Sequence, residues 1–401
     1  MSYIKLHEYE KLTINNSVNG LSKAQFDVLV KFNANNQNKY FEIVHKGIVA
    51  KNYVGLIKID NLTIEILPKI SDNGLDYITS KKVLYTMLKV SRTLPIDNSF
   101  IVNLNHTDSE PLVIYFVKYL EEIERLIHLG LIKKYSFTES NQKVLKGNIV
   151  FSQHIKSNLI RADRFYCNHS IYSNDNNLNR ILKYALVLST KILGTKFTQR
   201  VNSCLSYFEE VKNVIITDQH FKLNLLNRKS HYLASAIELS KIIILQYGSN
   251  LSIGSTNLFS LLFDMNLLWE LYITNILKKY ESIYDYTVQY QNSKIFWNNK
   301  KIKPDIIVKY NNSNYVIDTK WKVIIPSKPN DNDLKQMYVY NDYWSSYKSL
   351  LLYPYTKYND TEWIKFEGTE QFCKLGFLTL LDDQKNIDST IIVKQILNKI
   401  E

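Results

Sequence analysis

The stretch KIKPDIIVKYNNSNYVIDTKWK, Lys301–Lys322, sets the tightest limit on how this chain can fold. Two apolar, β-branched runs at 304–310 and 315–321 flank the polar NNSN at 311–314. That pattern predicts a β-hairpin with a short turn. Side chains alternate along a strand, so Asp318 and Lys320 are expected to share a face with Thr319 opposite. Asp305 opens the first strand, and the turn folds it back towards Asp318. Strands otherwise built for a core would then present two carboxylates and an amine at one end. Hard oxygen ligands of this kind suit Mg²⁺, which keeps several waters and takes one or two carboxylates, here Asp305 and Asp318. Such an ion lowers the pKa of a bound water and stabilises charge on a phosphate. Lys320 would orient or deprotonate that water, or neutralise the phosphate. The competing reading is a surface hairpin carrying a simple Asp318–Lys320 ion pair.

The flanking segments favour a site. NLFSLLFDMNLLWELYITNILKKY, 257–280, is strongly apolar and predicts a helix over 256–280, yet it carries Glu270. A carboxylate among core-facing neighbours needs a partner, because burying it unpaired is costly. After the hairpin, DLKQMYVYNDYW predicts a helix over 333–346 with Gln336 and Tyr340 one turn apart on one face. Between Ser293 and Lys357 the chain holds 11 lysines against 5 aspartates, a surplus of six around the proposed site.

Elsewhere the pattern sorts into three regions. Residues 1–110 read as strands and turns, with YFEIVHKGIVAKNYVGLIKIDNLTIEILPKI (40–70) alternating around Asp60-Asn61 as a hairpin would. The hairpin at 53–70 reads as core or as contact surface. Residues 111–250 read as mainly helical: PLVIYFVKYLEEIERLIHLGLI opens on a proline tolerated in a first turn, and further helices are expected at 176–194 and 229–247. The segment 140–175 reads as polar and irregular, with LKGNIVF entering a strand. A boundary is expected near 250, where YGSNLSIGSTN interrupts the helices. In 251–401, strands return at 284–291, 294–297, 304–310, 315–321, 349–354 and 374–381, with a last helix at 388–399. The expected fold class is α+β and multidomain, the last region forming an α/β unit with a mixed sheet.

The formal charge of +12, with 29 Tyr and 17 Phe, suits a polyanionic partner such as nucleic acid, although AT-rich coding would give the same bias. Cys167, Cys204 and Cys373 form no CxxC, which argues against a disulfide framework or a zinc site. MSYIKLHEYEKL lacks the apolar core of a signal peptide, and no apolar run is long enough to span a bilayer. A reducing, cytoplasmic location and no membrane partner are expected. Asp175 and Asn179 read as helix caps. Trp297, Trp321 and Trp344 read as packing or as base-stacking surfaces.

The order of parts resembles the PD-(D/E)xK nuclease superfamily: a helix with Glu270, then Pro304-Asp305, Asp318-Thr319-Lys320, and a helix with Gln336-xxx-Tyr340, similar to the QxxxY motif of RecB-like members. A narrower resemblance spans most of the chain. YVGLIKIDNLTIEILPKI (53–70), LKGNIVFSQHI with YSNDNNLNRILKYAL (172–186), LFDMNLLWELYI and KPDIIV…VIDTKWK resemble, in order, the segments of the McrC family of McrBC restriction systems. The resemblance implies a Mg²⁺-dependent DNA endonuclease that docks through its N-terminal part on a ring-forming AAA+ GTPase (the McrB-like partner), stimulates GTP hydrolysis and cuts. Self-association through the nuclease domain is a further expectation from it. The chain holds no GxxxxGK[ST], so it is not expected to power translocation. An autonomous nuclease in repair or defence, and a non-catalytic activator of a GTPase ring, remain as alternatives at this stage.

Overall fold

The computed structural model describes the chain except residues 1, 16–19, 70–75, 92–110, 193–196, 223–225, 248–257, 323, 325–327, 355–358 and 383–385. It is a mixed α/β architecture with several sheets and helical regions. By contacts it divides into two units, one of 1–109 with 251–401 and one of 110–250. The expected boundaries near 110 and 250 lie outside the described residues.

The first unit begins with β1 (Ser2–His7), β2 (Lys11–Thr13), α1 (Lys23–Asn35), β3 (Phe41–Val44), β4 (Gly47–Ala50), β5 (Tyr53–Ile59), β6 (Leu62–Leu67) and α2 (Tyr77–Val90). Two helices therefore interrupt a region expected to be strands and turns. Ser22 caps α1 in a reciprocal capping box with Gln25, and Asp76 caps α2 through Thr79 N–H. The expected hairpin around Asp60-Asn61 is present, with Asp60 at φ 46° and Ile59 opposite Leu62. All of β6 is buried, so this hairpin is core and not a contact surface. The one carboxylate of β6, Glu65, is met by Tyr3 Oη at 2.6 Å and Lys81 Nζ at 3.3 Å.

The second unit holds α3 (Pro111–Leu129), β7 (Lys134–Gln142), β8 (Asn148–Ile149), α4 (Phe151–Asn158), β9 (Phe165–Ser173), α5 (Asn177–Ile192), α6 (Thr198–Ser206) and α7 (Ala234–Tyr247). The helices at 111, 177 and 234 follow the apolar periodicity, and bury Phe116, Tyr119, Leu120, Ile123, Leu178 and Leu182. The strand expected at LKGNIVF is present as β8, but the rest of the segment expected to be irregular forms, with β7 and β9, an antiparallel sheet, β7-β9-β8, carrying α4. Its strands bury little, so no two-residue apolar alternation marks them. Ladder hydrogen bonds and cross-strand pairs such as Tyr135–Tyr172, ring centroids 4.7 Å apart, hold it instead.

The chain then returns to the first unit as β10 (Leu258–Asp264), α8 (Met265–Tyr284), β11 (Thr287–Tyr290), β12 (Lys294–Trp297), β13 (Lys300–Ile302), β14 (Ile306–Tyr310), β15 (Ser313–Thr319), α9 (Asp331–Tyr343), β16 (Lys348–Pro354), β17 (Ile364–Lys365), β18 (Phe372–Leu378) and α10 (Ser389–Ile400). The helix expected from 256 starts only at 265. LFSLLFD joins the first sheet as an antiparallel edge strand, in the order β1-β6-β5-β10. Gly55 allows it: at φ 135° and opposite Leu262, an added Cβ would stand 2.0 Å from the Leu261 carbonyl oxygen. Leu258 and Leu262 then join a core with Ile57, Ile64, Leu29 and Phe32.

Of the remaining strands, β12 and β13 pair as a separate ribbon and six form a mixed sheet, β11-β14-β15-β16-β18-β17. β11, β14 and β15 are antiparallel, whereas β15, β16 and β18 run parallel. α9 is the crossover between β15 and β16, and packs Met337, Tyr340 and Trp344 on Ile307, Val316, Leu351 and Tyr353.

Candidate active site

Two residues set the site's register. Asn311 and Asn312 have φ of 48° and 61°, and Tyr310 pairs with Ser313 across them. This is the two-residue turn whose twist suits a hairpin, and asparagine tolerates its left-handed backbone. The register runs to Ile306 opposite Ile317, so Asp305 comes level with Asp318 at the open end.

Asp318 is 1% exposed. Its Oδ2 is ion-paired with Lys320 Nζ at 2.5 Å. Asp305 Oδ2 accepts from both Thr319 N–H and Thr319 Oγ1, each at 2.8 Å. Glu270, on α8, is half-buried and accepts from Gln291 Nε2 at 2.6 Å; the Gln291 N–H donates to the Asp305 carbonyl at 3.0 Å. On α9, Gln336 Oε1 accepts from Lys320 Nζ at 3.3 Å, and Gln336 Nε2 donates to Tyr340 Oη at 2.7 Å. Tyr340 Oη donates in turn to the Lys303 carbonyl at 2.8 Å, two residues before Asp305. Glu270, Asp305, Asp318, Lys320, Gln336 and Tyr340 therefore form one connected cluster.

Its electrostatics are those of carboxylates short of positive charge. Burial raises the Asp318 carboxyl, Asp305 raises it further, and Lys320 only partly offsets this. Burial also raises Asp305 against the Thr319 donors, and raises Glu270 with help from Asp305. Burial alone would lower Lys320, but Asp318, Asp333 and Asp305 outweigh it and hold the ammonium charged. Asp305 and Asp318 thus fit a hard divalent cation: two facing carboxylates, one of them fully buried, and a local excess of negative charge that Lys320 offsets only in part. Among the described residues, no three His, Cys, Asp or Glu side chains form a metal-holding group by themselves.

A family model described as the McrBC 5-methylcytosine restriction system component matches residues 48–354. The chain belongs to this McrBC family. Among solved structures, a chain of the refined half-complex from the tetradecameric assembly of Thermococcus gammatolerans McrB AAA+ hexamers with bound McrC is 18% identical. Its TM-score is 0.71, with 99% of each chain covered. A chain of the Thermococcus gammatolerans McrBC complex is 19% identical with a TM-score of 0.52, covering 69% of this chain and 87% of that one. No curated protein matches.

Four features of this McrBC-family chain escape motif reading. Thr319 was expected to face away, yet its amide and hydroxyl both fix Asp305. Asp333, in the first turn of α9, pairs with Lys322 at 2.5 Å and lies 3.9 Å from Lys320; two lysines ahead of an acidic helix start were its only signal. Gln291 joins Glu270 to β14. Glu8, with no signal at all, is fully buried and accepts from Trp321 Nε1 at 2.8 Å and from Lys69 N–H at 3.0 Å. Burial pushes its carboxyl up to about 8. Of the three tryptophans weighed for stacking, Trp321 and Trp344 are buried and Trp297 is exposed.

Proposed function

We propose that this chain is the nuclease subunit of a McrBC-type restriction complex. In this reading it is a Mg²⁺-dependent DNA endonuclease of the PD-(D/E)xK type, recruited and activated by an AAA+ GTPase whose hydrolysis it stimulates. The observation that carries the reading is the alignment of Asp305 and Asp318, with Lys320, at the open end of one hairpin in a McrBC-family chain.

Asp305 and Asp318 are the residues that would hold Mg²⁺, which when bound supplies Lewis acidity towards the phosphate and acidifies a coordinated water. Thr319 fixes one oxygen of Asp305 and so sets the orientation of its carboxylate. Lys320, held charged, is suited to neutralising the phosphate as negative charge grows on it, and less to taking a proton from water. Gln336 holds Lys320 through Oε1, and Tyr340 ties Gln336 to the main chain just before Asp305. Glu270 acts through Gln291 on the same strand end.

The resemblance implies docking through the N-terminal part, residues 1–110; the exposed apolar side chains of the second unit favour docking there instead. Tyr135, Phe137 and Tyr172 are exposed on the β7–β9 pair, and Phe151 and Ile155 on α4, with Leu159 just after its end, are exposed at four-residue spacing. Large apolar side chains exposed on one small sheet and its helix suit a protein contact. The test is cleavage of DNA by the purified chain with Mg²⁺, with and without an AAA+ GTPase encoded beside it. Cleavage that needs both supports the reading, and a folded chain that never cuts removes it.

A further inference from the structure

The β12–β13 ribbon stands outside both larger sheets of the first unit. Every residue from Asn292 to Lys301 is exposed. Ile295, Phe296 and Trp297 are 64%, 49% and 66% exposed, so much of their apolar surface is left in water. Lys294, Lys300, Lys301 and Lys303 accompany them, with no acidic residue between Asp285 and Asp305.

Among the described residues, the ribbon is anchored at its base. Lys294 Nζ donates to the Tyr343 carbonyl at 2.5 Å and sits 5.2 Å over the Trp344 ring, while the Phe296 ring lies 5.9 Å from that of Tyr343. An isolated two-stranded ribbon is marginal in water, so these contacts to the end of α9 fix where it points. Lys300 Nζ lies 5.7 Å over the Trp297 ring near the turn at Asn298. At the other end the chain passes through Lys303, whose carbonyl is held by Tyr340, and reaches Asp305 two residues later. The ribbon is therefore joined directly to the cation site.

We propose that the β12–β13 ribbon is a DNA-groove element of this chain, with Lys300 and Lys301 on backbone phosphates and Trp297 against the sugar and base edges beside the scissile phosphate. The major groove of B-form DNA admits a two-stranded ribbon. The absence of acidic residues matches a polyanion and not a mixed-charge protein surface, and attachment at the cation site fits the same duplex that the site would cut. The proposal deepens the nuclease reading and rests on it.

The experiment compares the full chain with Trp297→Ala and with the Lys300→Ala/Lys301→Ala double variant. Binding to a labelled DNA duplex is followed by anisotropy from 50 to 200 mM salt without divalent cation, and cleavage is then measured with Mg²⁺ and the GTPase partner. The double variant should reduce the slope of log affinity on log salt by roughly two, at about 0.9 per lost phosphate contact. Trp297→Ala should weaken binding about tenfold with the slope unchanged, and Trp297→Phe should restore most of it. If the wild type binds and cuts while both variants equal it, the ribbon is not a DNA element and the nuclease reading stands. Unchanged DNA affinity with altered self-association on a sizing column would assign the ribbon to a protein contact and overturn the proposal. A folded wild type that neither binds nor cuts removes the nuclease reading and the proposal together.

Discussion

Asp318 and Glu8 show how little a local pattern says about a buried carboxyl. Asp318 was legible because alternation placed it with Lys320, and because a fixed turn length aligned it with Asp305. Glu8 meets Trp321 across more than 300 residues, which no local pattern can report. The raised carboxyls lead to a direct expectation for the cation. The ion binds the deprotonated form, so Mg²⁺ affinity should rise with pH through the neutral range and binding should release protons. Isothermal titration in buffers of different ionisation enthalpy checks this; a pH-independent affinity would contradict it, and Asp318→Asn should remove the signal. For Glu8 the folded-state value of about 8 stands above the unfolded carboxylate value near 4.5. Its contribution to stability is thus complete below pH 4.5 and is lost as pH rises towards 8, a few kcal/mol at about 1.4 kcal/mol per unit. Glu8→Gln keeps the acceptor for Trp321 and should flatten the fall in stability between pH 5 and 8, measured by urea unfolding. A variant with the wild-type pH dependence would place the titration elsewhere.

At the scale of elements, long periodic helices and the β14–β15 hairpin were readable, because each satisfies its own pattern. β10 was not. LFSLLFD runs without a break into a helical pattern, and a short continuous apolar run does not distinguish strand from helix. What decides it is distant: β5 needs an antiparallel partner, and Gly55 lets that partner approach. β7 and β9 were missed for the opposite reason, since they are strands with too little buried surface to show a period. Gly55→Val should therefore destabilise the first unit by about 2 kcal/mol or more, through both the positive φ and the contact with Leu261. Chemical denaturation measures it, and a neutral substitution would show that the close approach is not needed. Asn312→Val, in the left-handed turn of the site hairpin, should reduce Mg²⁺ affinity as well as stability.

At the scale of the molecule, the strand order divides the chain differently from its linear order. Residues 1–109 pack with 251–401, and β10 completes the sheet begun by β1, β5 and β6. A fragment ending at 250 lacks β10 and bares the β5 edge, so it is expected to aggregate. Residues 110–250, with their own core, should fold alone and retain ring binding. Circular dichroism and pull-down with the GTPase partner test both expectations. The central claim is that Asp305, Asp318 and Lys320 form a DNA-cutting centre separable from activation of the partner. The most direct measurement follows DNA cleavage and GTP turnover together, in the complex of the full chain with its GTPase partner and Mg²⁺, for wild type and Asp318→Ala. The account predicts that cleavage falls by at least about a thousandfold while GTP turnover is stimulated as by wild type. Cleavage at the wild-type rate by folded Asp318→Ala would contradict it.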